Sequence, residues 1–439
     1  MRSTFKLGRS QAAVPRMLSD LPNGSLQRTS NRDVRLLFLT RFTRLFAYGA
    51  LSVVLVFYLA SIGLSESRIG LLLTLTLFGD TIISLILTTQ ADRIGRRRML
   101  IIGSFLMAGA GLAFAFTSNF LFLIIAGTIG VVSPTGNEVG PFLSIEQAAL
   151  TQVVSASTRT TAFAWYTLTG SFATAIGSLC GGMFPSLIDL GGRATVKGYR
   201  AVVITYSILG VVLALVFARL SSATEVDASK DPLSGPSPKK TRIGIGDSRK
   251  IVAKLSCLFA LDSFGGGFVV QSFAAYWFYL RFGVKPAALG GIFFGANLLA
   301  GASALLASRL ASRIGLVRTM VFTHLPSNIL LLLVPLMPTL RLAIAVLLLR
   351  FSISQMDVPT RQSYTMAVVQ PEERSAAAGI TGVARTIGAS IPPMFVGLMF
   401  ANRSWINVPF FIAGALKIVY DLLLYRQFVA IRGPEEEFR

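Results

Sequence analysis

The chain has 439 residues, of which 53% are hydrophobic and 14% charged, and its mean hydropathy is +0.66. This is too apolar for an ordinary soluble domain and points to a membrane protein. The net charge of +21 suggests nucleic acid only until the basic residues are placed: they gather in the tails and in alternate loops, the positive-inside pattern of a multi-spanning chain.

Residues 1–35 are polar and basic and read as a cytoplasmic tail, with a transit peptide as the alternative. Twelve apolar segments follow, near 36–62, 67–89, 98–117, 120–141, 161–187, 201–220, 253–281, 287–308, 317–338, 341–358, 375–401 and 404–428, each about long enough to cross a bilayer. They predict an all-α membrane protein of twelve transmembrane helices. Its N-terminal six-helix half is 36–220 and its C-terminal half 253–428. Between them, 221–252 is a cytoplasmic linker rich in Ser, Pro and basic residues, and 429–439 is a cytoplasmic tail.

The first segment carries Arg41 and Arg44. Arginine in hydrocarbon is costly, so each faces a bundle interior or aqueous cavity, or snorkels back to the headgroups. After the second segment comes a charged island, Ala91-Asp-Arg-Ile-Gly-Arg-Arg-Arg-Met-Leu100, in which Gly95 permits a tight turn. The island returns later in the chain: Ala91, Arg93, Ile94, Gly95 and Arg98 recur as Ala311, Arg313, Ile314, Gly315 and Arg318. Phe57-Tyr58-Leu59 recurs as Phe278-Tyr279-Leu280, Gly63 and Gly70 as Gly283 and Gly290, and Glu146-Gln147 is matched by Arg361-Gln362. Units of this size indicate a duplicated half rather than a solenoid.

The spacing D-R-x-G-R-R, here Asp92 to Arg97, resembles the signature of the major facilitator superfamily between its second and third helices. The resemblance implies two six-helix halves around a midplane site, with helices 1, 4, 7 and 10 lining a cavity. It implies a gating role for the loop residues Asp92, Arg93, Gly95, Arg96, Arg313 and Gly315, with Asp92 acting near the start of helix 11. It also implies that helices 2 and 11 abut across the halves, as do 5 and 8. Asp80 and Arg385 lie at similar depth on helices 2 and 11, about 13 and 15 Å from the cytoplasmic end, and are expected to pair. Gly177-x-x-x-Gly181 and Gly291-x-x-x-Gly295 are expected to pack helices 5 and 8 together.

The fourth segment runs into Ser133-Pro-Thr-Gly-Asn-Glu-Val-Gly-Pro141, where a regular helix cannot continue. Glu138 on this break is either a ligand or proton site at membrane depth or a solvated surface residue. In the seventh segment, Asp262 precedes a kink at Gly265–Gly267, and Gln271 lies beyond it; the tenth presents Arg350, Gln355 and Asp357. Asp262 and Arg350 are expected to form a pair at equal depth. The single histidine, His324, sits beside Pro326 and reads as locally structural. No His/Cys cluster, phosphate loop or catalytic constellation is visible, so no cofactor is expected and an enzyme is excluded.

The expected function is therefore secondary active transport of a small organic solute by alternating access, coupled to protons. Arg41, Arg44 and Arg350 outnumber Asp262 and favour an anionic solute. The alternatives are export of lipophilic compounds and a transporter-like sensor without flux. The expected partners are the solute, the bilayer and protons, with no nucleic acid. The protein is expected as a monomer in the plasma membrane, with both termini cytoplasmic.

Overall fold

The computed structural model describes residues 24–137, 140–155, 158–188, 195–225, 246, 248–370 and 373–429. The described residues of the N-terminal half form α1 (Gly24–Ser61), α2 (Glu66–Ile94), α3 (Arg96–Phe116), α4 (Phe120–Ile129), α5 (Phe142–Val153), α6 (Arg159–Ile188) and α7 (Val196–Phe217). Those of the C-terminal half form α8 (Arg249–Gly267), α9 (Gln271–Phe282), α10 (Pro286–Ile314), α11 (Leu316–Leu333) and α12 (Leu340–Phe351). They continue with α13 (Asp357–Ala367), α14 (Arg374–Ser390), α15 (Pro392–Phe400) and α16 (Val408–Phe428). Among the described residues, ten helical stretches are long and apolar enough to cross a membrane, and α4 is a shorter apolar helix. Large apolar side chains such as Phe105, Phe116, Leu121 and Leu215 point outward, as a lipid-facing surface requires.

Among the described residues, four of the twelve crossings are broken, each for a local reason. The fourth is α4 and α5, separated by the Pro134–Gly140 region. The seventh is α8 and α9: past Gly265–Gly267 the N–H groups of Phe268 and Val269 bond three residues back, to Gly265 and Gly266. The tenth is α12 and α13, and it extends to Ala367, beyond the expected end at Val358. The eleventh breaks at Pro392-Pro393, where two N–H donors are missing. Thr74 on α2 repairs that break, accepting from the Met394 N–H at 2.9 Å and donating to the Ile391 carbonyl at 3.3 Å. Irregular backbone inside a membrane persists only where such partners exist.

The halves touch on the face opposite the α2–α3 and α10–α11 turns, hereafter the far face. Two glycine pairs make the closest approach. A Cβ on Gly70 (α2) would lie 2.8 Å from Cα of Gly397 (α15), and one on Gly182 (α6) would lie 2.7 Å from Cα of Gly290 (α10). Gly70 and Gly290 are repeat equivalents, so both crossings obey the internal symmetry. The expected small-residue motifs are corrected here. Gly177 and Gly181 pack on α1 at Phe46 and Ala50, inside their own half, and Gly291 has nothing within 4 Å. Phe57 packs edge-on against Tyr276 and Tyr279 from the other half, and Tyr276 Oη donates to Glu66 Oε1 at 3.1 Å. At the opposite face, Gly95 and Gly315 join α2 to α3 and α10 to α11 with φ of 115° and 88°, in the left-handed region that favours glycine.

Candidate substrate and coupling site

In the N-terminal half, α5 presents Glu146 to α1. Arg44 grips it through two bonds, Nη1 to Oε1 at 2.8 Å and Nη2 to Oε2 at 2.7 Å, with both side chains fully buried. Thr40 Oγ1 donates to Oε1 at 2.7 Å, and Tyr166 Oη of α6 donates to Oε2. Two parallel charge-assisted bonds suit the planar guanidinium. The Arg44 guanidinium lies over the Phe142 ring, and that of Arg41 over Tyr166. Arg41 and Arg44 are therefore buried among protein groups rather than snorkelled. Asp80 Oδ2 accepts the Gly140 N–H at 3.0 Å, at the end of the fourth-crossing break. Glu138 lies outside the described residues.

A polar knot ties the halves together at mid-depth. Gln271, the first residue of α9, donates through Nε2 to Ser52 Oγ of α1 at 2.8 Å and to Ser178 Oγ of α6 at 3.0 Å. Asn297 Nδ2 of α10 donates to Gln271 Oε1 at 3.1 Å and to Ser178 Oγ at 3.3 Å. Next to it, the N–H and hydroxyl of Ser272 both donate to the Pro134 carbonyl, at 3.2 and 2.7 Å. Thus the broken backbone of the fourth crossing is satisfied by that of the seventh. Gln271, expected as a cavity residue, is a buried contact between the halves in this conformation.

The C-terminal half holds a larger buried network. Asp262 of α8 receives Lys417 Nζ of α16 on Oδ1 at 2.6 Å and Arg361 Nη1 of α13 on Oδ2 at 3.1 Å. Arg361 also reaches Asp357 at 3.4 Å. Near the same oxygen that Lys417 holds, His324 Nε2 of α11 stands 3.7 Å from Oδ1, while its Nδ1 meets Asp421 Oδ1 of α16 at 2.8 Å. Asn328 Nδ2 donates to Asp421 Oδ2 at 2.8 Å. The expected Asp262–Arg350 pair does not form, because Lys417 and Arg361 occupy the two oxygens of Asp262. The reading of His324 as a local residue is also corrected, since the ring lies between carboxylates of two other helices, Asp421 and Asp262.

Arg350 and Arg385 remain partly exposed beside this network. Both are influenced by Asp262 and Asp357, yet neither makes an ion pair among the described residues, and each Nε has no hydrogen-bond partner. Open space lies before Gly379 and Gly382, six and three residues ahead of Arg385 on α14. Asp80 and Arg385 are not paired in this conformation: Asp80 serves the fourth-crossing break, and Arg385 belongs to the C-terminal network. Gln355 is partly exposed in the α12–α13 break. Ligand atoms of Asp262, His324 and Asp357 fall within 4.8 Å of one another. Because ammonium and guanidinium already neutralise Asp262, the cluster is an ion-pair network and not a cation site.

At the first signature turn, Asp92 Oδ1 accepts Arg96 Nε at 2.8 Å, and Arg96 Nη1 donates to the Ala148 carbonyl of α5 at 3.1 Å. Glu225, past α7, accepts the N–H groups of Arg96 at 2.7 Å and Arg97 at 3.1 Å, capping α3. Arg93 and Arg313 are exposed.

The sequence model described as Major Facilitator Superfamily matches residues 37–393. The chain belongs to the major facilitator superfamily. A relative from Saccharomyces cerevisiae (strain ATCC 204508 / S288c), named as uncharacterized membrane protein YJR124C, is 31% identical over 428 residues, covering 92% of this chain and 95% of that protein. Among solved structures, a bacterial homologue of the human lysosomal transporter Spinster, inward-facing and unoccupied, superposes with a TM-score of 0.69 at 16% identity, covering 92% of this chain and 98% of that one. The inward-open xylose transporter XylE from E. coli gives a TM-score of 0.69 at 17% identity, with the same coverage of 92% and 98%. These two similarities concern the fold. As a member of the superfamily, the chain is a multi-pass membrane protein and a secondary transporter. Sequence reading left Lys417, Asp421, Asn328 and Tyr166 out of the site. Glu146 and Arg361 were visible as the matched pair in the repeat, a signal that could have identified them as partners of Arg44 and Asp262.

Proposed function

We propose that this transporter moves a small organic anion by alternating access and draws its energy from a proton gradient. The observation that carries the reading is the imbalance of the C-terminal network. Four cations, Arg350, Arg361, Arg385 and Lys417, stand among three carboxylates, Asp262, Asp357 and Asp421. Two of those guanidinium groups have polar hydrogens to spare. In an interior of low dielectric such an excess attracts an anion far more strongly than it would in water. Buried ionisable residues on the broken helices of a secondary transporter mark substrate and ion paths. The basic turns favour a cytoplasmic placement of the α2–α3 and α10–α11 face and of both termini. With contacts concentrated at the far face, the chain rests closed there.

The test is flux. Purified protein in liposomes would be offered radiolabelled monocarboxylates, dicarboxylates and phosphate esters, with and without a pH gradient. Accumulation of one of these anions, abolished by a protonophore, is expected. Uptake that ignores the pH gradient overturns the coupling, and selective uptake of cations or neutral lipophiles overturns the anion. A lipophilic solute is the second reading. It is favoured by the apolar groove between α6 and α10, lined by Trp165, Leu168, Phe172 and Leu298.

A further inference from the structure

We infer that the coupling proton binds between His324 and Asp421, and that Asp262 senses its arrival. This rests on the proton-coupled reading above. A neutral imidazole carries one N–H, whereas His324 has a carboxylate oxygen near each nitrogen. With Nδ1–H donating to Asp421, the Nε2 lone pair faces Oδ1 of Asp262 across 3.7 Å. One added proton removes that conflict in either of two ways. On the ring, it makes an imidazolium that donates to both carboxylates. On Asp421, it lets the carboxyl donate to Nδ1, which also lies 3.1 Å from Asn328 Nδ2, while Nε2–H turns to Asp262. Both forms hold the same number of protons, and both aim an N–H at Asp262. The site is complete for the proton-loaded state.

The surroundings connect this slot to the moving parts. On α16, Lys417 and Asp421 lie one turn apart: one holds Asp262, the other His324. Tyr420 of the same helix stacks edge-on against the imidazole at 5.8 Å, and its buried hydroxyl has no partner among the described residues. From α8 comes Asp262, and from α13 come Asp357 and Arg361. Arg350 of α12 acts on Asp262 and Asp357, and Arg309 and Arg313 of α10 are exposed near its end. When the slot fills, Nε2–H competes with the Lys417 ammonium for the same oxygen, Oδ1. A weaker Lys417 bond frees Asp262 to follow Arg361, whose helix is the inner segment of the broken tenth crossing. A proton thereby biases a two-state element without touching the solute.

His324 is the only histidine in the chain, so the full-length protein labelled with ¹⁵N-histidine gives one imidazole to observe. In lipid nanodiscs, its two nitrogen resonances would be followed over the interval where histidine titrates, about pH 5 to 8. The expected result is a single proton-binding step in which both nitrogens come to carry hydrogen or the tautomer reverses. Asp421→Asn should displace its midpoint. Asn328→Ala, which leaves both titrating groups in place, should change the balance of tautomers. An imidazole that keeps one tautomer across the range, in the wild type and both variants, overturns the inference. In liposomes, pyranine would report proton movement with the transported anion of the panel above. Wild-type flux without proton movement sinks the coupled reading itself. Proton-driven accumulation that survives in both His324→Gln and Asp421→Asn sinks only this site. Loss of accumulation in those variants, with anion exchange retained, supports it.

Discussion

Glu146 and Arg361 occupy the same place in the two halves and carry opposite charge. Each is the fifth residue of the helix that follows a break, α5 or α13. Each closes a buried ion pair with the first crossing of its half, Glu146 with Arg44 and Arg361 with Asp262. The duplication has kept the bond and inverted its polarity. In the N-terminal half the pair is saturated: Glu146 has four donated bonds from three residues. In the C-terminal half the acid is shared between two cations and faces a histidine. One half is built as a rigid clamp and the other as a responsive one.

This asymmetry predicts unequal stability effects. Glu146→Ala removes the carboxylate that Arg44 grips in a fully buried site, where breaking an ion pair by removing one partner costs about 3–5 kcal/mol. Arg361→Ala should cost less, because Asp262 keeps Lys417 at 2.6 Å. Thermal unfolding of the purified variants in detergent would show the larger drop for Glu146→Ala. The double exchange Arg44→Glu with Glu146→Arg should recover part of it. Equal drops would contradict the division into rigid and responsive clamps.

The glycine pairs give a sharper contrast between neighbours. Gly290→Ala puts a methyl group against the backbone of Gly182, whereas Gly291→Ala enters open space. The first should hold the far face apart and slow transport, and the second should leave turnover unchanged. A single cysteine at Phe57, in a chain with Cys180 and Cys257 replaced by alanine, would report the opening through its labelling rate. Equal labelling in the two variants would mean that this crossing is not a closing contact.

Much of the architecture was legible in the chain because hydrophobic length and a repeated offset are properties of sequence. The offset even aligned Gly70 with Gly290. Helix rotation was not legible. Adjacent residues on a helix point about 100° apart, so Gly181 and Gly182 serve different neighbours, and a small-residue motif cannot say which faces the other half. Depth arithmetic failed for the same reason at Asp262, since Arg350, Arg361 and Lys417 all reach a similar level and only azimuth separates them. Arg361 was further obscured because the tenth crossing continues through a break that looked like an end. His324 was misjudged because its partners come from α8 and α16, far away in sequence.

Arg350 and Arg385 are predicted to hold the anion together. Arg350→Gln and Arg385→Gln should each weaken binding of the transported anion by about 1.5–3 kcal/mol, the range for hydrogen bonds to charged groups, with the fold intact. Lysine should rescue only in part, lacking the planar fork. Anion-induced thermal stabilisation of the purified protein measures this directly. Undiminished stabilisation in both glutamine variants would remove these residues from the site.

At the first signature turn the acidic residues should separate into two roles. Asp92 is largely exposed, and its pair with Arg96 should add little stability. Asp92→Asn is therefore expected to lower turnover while leaving affinity and surface abundance nearly unchanged. Glu225 caps two N–H groups at the start of α3, and Glu225→Ala should cost about 0.5–2 kcal/mol, as loss of a helix cap does. Surface abundance measured beside transport rate separates the two effects. Loss of abundance in Asp92→Asn would assign that residue to folding instead.

The last prediction concerns the knot at Gln271. Its amide makes two bonds to Ser52 and Ser178 across the halves, and Asn297 adds another to Ser178. All these groups are buried, so none is replaced by water until the halves part. A buried hydrogen bond contributes about 1 kcal/mol net, and removing two should shift the balance between closed and open far faces by about thirtyfold, since 1.4 kcal/mol is tenfold. Gln271→Ala should therefore raise the population open at the far face without unfolding either half, as Ser52 can still donate to the Gly49 carbonyl at 2.9 Å. The cysteine reporter at position 57 should label faster in this background. The transport rate should respond with it, rising if far-face opening limits the cycle and falling if closure does. Asn297→Ala should act in the same direction but more weakly, because Gln271 keeps both of its bonds to the N-terminal half. If labelling at position 57 is the same in Gln271→Ala as in the parent, the knot is a packing contact within a fixed interface, and the far-face gate lies elsewhere, at the glycine crossings.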